Sequence, residues 1–159
     1  MLELLLMRHA TAEPPKSGQA DFDRPLTSKG GREIEVVVRH LFEEGIVPDL
    51  ILSSPSNRTK STGAQLLTSA GWSCLLEMKR ELYHGESEAF VEVLNEVENR
   101  FRRVLVVAHN PGLQEFCEML TQRSHGFRTA SIALIRTPIS SWSELRLSTE
   151  GELLGFFSP

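Results

Sequence analysis

The sequence has little cysteine and no excess of positive charge, and each absence excludes a class of protein. Its 159 residues include only two cysteines, Cys74 and Cys117, both in apolar segments, which favours reduced core thiols over a disulfide. The net charge of -4 argues against a nucleic-acid binder, because such proteins usually present a basic face. Any anion site must therefore be a local cluster of cations.

Long apolar runs are also lacking. The first run, residues 2–7, is too short for a secretion signal, and its charges follow it instead of preceding it. No run approaches the length that spans a membrane. Together with reduced cysteines, these absences predict a cytoplasmic protein with no membrane partner. A hydrophobic fraction of 40% predicts a real core, and the length predicts one domain over residues 1–159.

Two apolar runs end in histidine. Residues 4–7 stop at Arg8-His9, and residues 104–108, VLVVA, stop at His109. Short apolar runs of this kind are typical of strands buried on both faces, and ligands of parallel sheets bind beyond the carboxyl ends of the strands. Alone, Arg8-His9 fits a hydrogen-bonded loop pair as well as a reactive pair. The repetition favours a site.

The remaining pattern predicts strands that alternate with helices. Helices are expected from residue 27 or 28 to Gly45, from 57 to about 70, from near Ser87, and after a cap at Asn110 with Pro111 in the first turn. Further strands are expected at 50–52, 72–76, 129–137 and 143–148, with a turn at 149–152 before a short apolar tail. This order predicts a three-layer α/β/α sandwich with a mostly parallel central sheet.

The strand at 50–52 ends in SSPSNR, which puts Arg58 in the first turn of a helix. A cation there opposes the helix dipole, and an anion bound in front of it would remove the objection. A solvated surface arginine is the alternative. In the polar connection 78–86, Glu81 and His84 could face the same edge. We expect His40 and His125 to lie outside the site.

Arg8, His9, Arg58 and His109 would together form a cationic pocket. Guanidinium groups offer planar pairs of donors that match phosphate oxygens, so a phosphoryl group is the predicted ligand. No carboxylate or cysteine stands at ligand spacing and arginines repel a cation, which argues against a metal. No nucleotide-binding or nucleophile-elbow motif is present, so no cofactor is expected. One imidazole would attack phosphorus while the other stabilises charge on its oxygens.

Four motifs in order, MRHATAE, DRPLTSKG, SSPSNR and VVAHNPGL, resemble the histidine phosphatase superfamily and, more narrowly, its SixA-type branch of phosphohistidine phosphatases. The resemblance implies that His9 is the phosphorylated nucleophile, that Arg8 and Arg58 bind phosphate, and that His109 stabilises charge. Ala10 stands where many relatives have glycine, which points toward the SixA branch and away from the mutases.

The same resemblance implies supporting residues. Ser53, Asn110 and Thr11 are candidates for further phosphate contacts. Glu81 is the natural match for the carboxylate that serves as proton donor in the family, although that loop varies within the branch.

These features predict a monomeric phosphatase without a large lid, since the chain has few residues to spare for one. An open pocket suits phosphohistidine on a partner protein, such as a phosphotransfer protein, hydrolysed through a covalent phosphohistidine intermediate. A phosphatase of small phosphoesters and a non-catalytic phosphate-binding module are the alternatives.

Overall fold

The computed structural model describes residues 1–159 and contains six strands and four α-helices. The strands are β1 (Leu2–Arg8), β2 (Leu50–Ser53), β3 (Leu75–Met78), β4 (Arg103–Ala108), β5 (Ile132–Thr137) and β6 (Glu152–Phe157). The helices are α1 (Ser28–Glu43), α2 (Asn57–Ala70), α3 (Ser87–Asn95) and α4 (Gly112–Thr121). None of the helices has the length and apolar character needed to cross a membrane.

The strands form one sheet in the order β3-β2-β4-β1-β5-β6. The first four strands in this order are parallel to one another. At the β1 edge, β5 pairs antiparallel with β1, and β6 pairs antiparallel with β5. The predicted α/β sandwich with a mostly parallel sheet is therefore confirmed.

Successive residues of the central strands enter two different cores, which explains their unbroken apolar runs. In β1, Leu4 and Leu6 pack into the core that contains α3 and α4, while Leu5 and Met7 pack into the core that contains α1 and α2. Because side chains alternate across a strand, a strand covered on both faces must be apolar at every position. Both faces of the central strands are therefore buried, and polar residues can reach solvent only at the strand ends.

The predicted start of α1 is confirmed, but that of α4 is wrong in detail. Thr27 is the N-cap of α1, and its Oγ1 accepts a hydrogen bond from the Gly30 amide at 3.0 Å. In α4 the N-cap is Pro111 and not Asn110, and the first helical residue is Gly112. The Asn110 side chain donates instead to the Phe127 carbonyl at 3.0 Å, so it links two loops and does not cap the helix.

The predicted strand at 143–148 is wrong. Trp142 and Leu145 are fully buried, and the Trp142 indole donates to the Phe101 carbonyl at 2.7 Å. Buried residues three apart belong to a turn, and a 3-10 helix forms at Trp142–Glu144. The final strand is the apolar tail, β6, and β3 starts three residues later than the predicted 72–76.

Candidate active site

Three neighbouring strand ends bring the site together. β1 lies beside β4 with Arg8 paired to Ala108, so the next residues, His9 and His109, leave the sheet side by side. Their ring centroids are 5.4 Å apart. β2 lies on the other side of β4, and the Ser54 amide donates to the Val107 carbonyl at 3.1 Å. The sheet therefore assembles residues that are about a hundred positions apart in sequence.

His9 is held as one defined tautomer. Its Nδ1 lies 2.7 Å from the carbonyl oxygen of Ala10, which can only accept, so Nδ1 carries the proton. The Ala10 amide in turn donates to Thr62 Oγ1 at 3.1 Å, and Thr62 donates to the Arg58 carbonyl at 2.7 Å. The chain of bonds fixes the ring and leaves Nε2 with its lone pair.

His9 is also neutral. Its side chain is buried, and burial is the main reason that its pKa falls to about 4; the hydrogen bond to Ala10 raises the pKa, while the charges of Arg58, Arg8 and Arg24 lower it further. An imidazole with this pKa keeps its lone pair at neutral pH, as a nucleophile requires.

His109 has a different environment. Its Nε2 lies 2.8 Å from Ser54 Oγ, whereas its Nδ1 is buried without a hydrogen-bond partner in the protein. Burial, followed by the charge of Arg58 and the proximity of His9 and His84, lowers its pKa to about 3. A buried nitrogen without a partner is costly, and a bound ligand could supply the missing hydrogen bond.

The charges of Arg8 and Arg58 both act on His9, and each side chain is held by a backbone carbonyl of a neighbouring loop. Arg8 donates from Nη1 to the Phe127 carbonyl at 3.0 Å, and its Nε is buried without a partner. Arg58, which is almost fully buried in the first turn of α2, donates to the backbone carbonyl of Asp21 at 2.8 Å and to its carboxylate at 3.0 Å. The predicted clustering of Arg8, Arg58 and the two histidines is what the structure contains.

Asp21 is a pocket residue that the sequence interpretation missed. Its carboxylate accepts from Arg58, from Arg24 at 2.9 Å and from the Tyr83 hydroxyl at 2.9 Å. Burial raises its pKa, but hydrogen bonds from Arg24, Tyr83 and Arg58 outweigh burial and hold the pKa well below its usual range. The sequence contains one indication of Asp21: the long polar loop before the first helix has two acidic residues and an arginine in the segment DFDR, and long loops are often functional.

The segment 80–85 places the Tyr83 ring and a third imidazole, that of His84, beside His109 at the mouth of the pocket. The rings of Tyr83 and His84 lie 5.6 and 5.4 Å from that of His109, and His84 Nε2 is 3.5 Å from the Asp21 carboxylate. Glu81, in contrast, is exposed on a 3-10 helix, and its side chain forms no hydrogen bond or ion pair. The structure brings His84 into the site, as one reading of the sequence allowed, but not Glu81.

The other expected phosphate contacts have partners elsewhere. Ser53 is buried and its hydroxyl donates to the Ser54 carbonyl at 2.8 Å, so it is Ser54 that reaches His109. Thr11 bonds to Thr129 Oγ1 at 3.0 Å. Asn110 bonds to the same Phe127 carbonyl as Arg8. The contacts of Thr11 and Asn110 shape the pocket loops.

The electrostatics of the site suit an anion. Two guanidinium groups and two neutral imidazoles contribute to the site, and two buried nitrogens, Arg8 Nε and His109 Nδ1, have no hydrogen-bond partner in the protein. The chain contains no group of three histidine, cysteine or carboxylate side chains that could hold a metal ion. A tetrahedral oxyanion is a ligand that could pair with these groups.

The sequence is similar to a known protein family and to other proteins. A family model of the histidine phosphatase superfamily (branch 1) matches residues 4–127. An uncharacterized protein of Picosynechococcus is 28% identical over 162 residues, which cover 99% of this chain and 97% of that relative.

Solved structures agree in fold. A structure described as SixA from Agrobacterium tumefaciens has a TM-score of 0.85 at 24% identity and covers 99% of this chain and 98% of its own. The protein histidine phosphatase SixA complexed with tungstate has a TM-score of 0.82 at 23% identity, over 99% of this chain and 97% of its own. At these identities the likeness establishes the architecture.

Proposed function

The chain belongs to the histidine phosphatase superfamily, and from that membership we propose that it removes a phosphoryl group from phosphohistidine on a partner protein. The observation that carries the proposal is the state of His9, whose Nδ1 is bound to the Ala10 carbonyl and whose Nε2 is unprotonated. A fixed, neutral imidazole at the floor of a cationic pocket is equipped to attack phosphorus.

The reaction divides into two displacements. In the first, the bond from His9 Nε2 to phosphorus forms while the bond from phosphorus to the leaving group breaks. In the second, the oxygen of a water molecule attacks the same phosphorus, the bond to Nε2 breaks, and inorganic phosphate leaves. Both steps move charge onto the equatorial oxygens, which Arg8, Arg58 and His109 are positioned to stabilise.

Two features support phosphohistidine on a protein as the substrate. The chain has no inserted domain over the pocket: between Ser53 and α2, and between β3 and α3, the connections are short. A pocket of this kind can admit a side chain that projects from a folded partner. The structural neighbour in complex with tungstate, an oxyanion, is described as a protein histidine phosphatase.

The intermediate provides the test. Wild type quenched during turnover of a phosphohistidine protein should carry an acid-labile phosphoryl group on His9, detectable by mass spectrometry. His9→Ala should carry none and should release no phosphate, yet should still bind inorganic phosphate or vanadate through Arg8 and Arg58. The matched control is His40→Asn, since His40 stacks on Phe157 away from the pocket.

Two results would contradict the proposal. Wild type that turns over substrate without a phosphoryl group on His9 would exclude the covalent mechanism. Wild type that binds phosphate but hydrolyses neither phosphohistidine nor phosphoesters would indicate a phosphate-binding module.

A further inference from the structure

His84 occupies an unusual position for an exposed histidine. Its side chain is 58% exposed, whereas His9 and His109 are buried, so it lies at the mouth and not on the floor of the pocket. Its backbone has a φ of 56°, in the left-handed region where asparagine, aspartate and histidine are the most frequent residues after glycine.

The carboxylate of Asp21 lies next to the imidazole of His84. The Nε2 of His84 is 3.5 Å from Asp21 Oδ2, close enough for an ion pair when the imidazole is protonated, and the ring packs on Tyr83 with centroids 4.1 Å apart. Asp21 is itself fixed by Arg58, which also lines the floor. The carboxylate therefore connects the phosphate-binding arginine to the imidazole at the mouth.

The other groups of the pocket are poor proton donors. Burial keeps His9 and His109 neutral, and Asp21 is ionised by its hydrogen bonds. Burial, and then the hydrogen bond to Asp21, raise the pKa of Tyr83 and make its hydroxyl a weaker acid. The Glu81 side chain is exposed and forms no hydrogen bond or ion pair with any of them. A leaving group that needs a proton must obtain it from another side chain.

We infer that His84, oriented by Asp21, is that proton donor, an inference that rests on the proposed phosphatase function. As the bond from phosphorus to the leaving oxygen breaks, the proton on Nδ1 of His84 moves to that oxygen and the imidazole becomes neutral, while Nε2 keeps its proton toward Asp21. In the second displacement the neutral imidazole takes a proton from the attacking water, which restores its charged form. Protons balance over the cycle.

The role should depend on the leaving group. An alkoxide must be protonated as it departs, so esters of poorly acidic alcohols need the donor. A nitrophenolate leaves without help. An imidazole leaving group has a conjugate-acid pKa of about 6.5 and can depart already protonated. His84 thus widens the range of substrates while phosphohistidine hydrolysis requires it least.

The experiment compares kcat/KM of wild type and His84→Asn on a series of phosphate monoesters from 4-nitrophenyl through phenyl to alkyl. Asparagine is chosen because it tolerates the left-handed backbone at this position. We expect losses of about 10²-fold or more on the alkyl esters and little loss on the 4-nitrophenyl ester or phosphohistidine. The charged or titratable groups that face His84 are Asp21, Tyr83 and His109.

His40→Asn serves as the matched control and should follow wild type across the series. Equal losses of His84→Asn on every ester would show a structural role, and no loss would show a bystander; either overturns the inference. If Glu81→Gln has the steeper dependence instead, the donor is Glu81. Failure of the proposed function is distinct, because wild type would then form no phosphoryl group on His9 with any of the substrates.

Discussion

At the scale of single residues, the neutral histidines of the pocket oppose folding in acid. The pKa values of His9 and His109 fall from the ordinary 6.5 to about 4 and about 3. Below pH 6.5 these two histidines are protonated in the unfolded chain but remain neutral in the folded chain. The free energy of unfolding is therefore highest above pH 6.5 and falls as the pH decreases toward the folded pKa values. We expect each histidine to reduce the free energy of unfolding by roughly 1–2 kcal/mol between pH 7 and 5.

Urea denaturation at several pH values checks this expectation. The double variant His9→Gln, His109→Gln should have a flatter dependence on pH than wild type, and His40→Asn should leave the slope as it is. A double variant with the wild-type slope would mean that carboxylates alone set the acid sensitivity.

Individual residues also mark the limit of what the sequence could predict at the site. His9 and His109 could be predicted because each follows an apolar run, and strand ends of neighbouring strands must meet. Ser53 was expected in the pocket, but the hydroxyl near His109 belongs to Ser54. The two serines are adjacent and alike in chemistry, so only the backbone direction after the strand distinguishes them.

Asp21 could not have been assigned from spacing. It is 37 positions from Arg58 and 62 from Tyr83, the two side chains that bind it from other parts of the chain. A loop residue acquires such partners only when the loop is folded, and loop conformation is not encoded in a simple hydrophobic period.

At the scale of secondary structure, the start of α4 is packed against the segment that carries His84. A Cβ at Gly112 would overlap the backbone carbonyl of Gly85, the residue after His84. Only glycine lets these two backbones approach so closely. The position of the imidazole at the mouth therefore depends on a helix that begins beside the buried His109.

Gly112→Ala should move the segment and lower both stability and turnover. Overpacking of this kind typically lowers the free energy of unfolding by about 1–3 kcal/mol. Thermal denaturation and kcat/KM on an alkyl phosphate would measure the two effects. The control is Gly155→Ala in β6, where an added Cβ would meet no atom within 4 Å, and its stability should change by less than about 0.5 kcal/mol. Equal behaviour of the two variants would contradict the packing argument.

Elements could be predicted where periodicity was strong. The helices α1 and α2 and the strands β1 and β4 lie where their apolar patterns indicate. The segment 143–148 alternates in polarity as a strand does, yet it folds as a turn because Trp142 and Leu145 are the residues that the core accepts. Tertiary packing overrode the local pattern there.

At the scale of the whole molecule, the positive charge of the candidate site comes from the guanidinium groups of Arg8 and Arg58, since the two buried histidines are neutral. We expect full turnover of phosphohistidine or 4-nitrophenyl phosphate after treatment with EDTA. The assay should use metal-free buffers, with a zinc-dependent phosphatase as the control that loses activity. Loss of turnover that a divalent cation restores would contradict this mechanism.

The bond between Arg58 and Asp21 has a kinetic consequence. The guanidinium already holds the carbonyl and carboxylate of a neighbouring loop, so an anion that takes over those two donors competes with an internal anion of the protein. This competition should lower the affinity of the pocket for inorganic phosphate as much as its affinity for the incoming phosphoryl group. Under the proposed function phosphate is the product, so we expect the carboxylate to shorten the residence time of the product and to free the pocket for the next substrate.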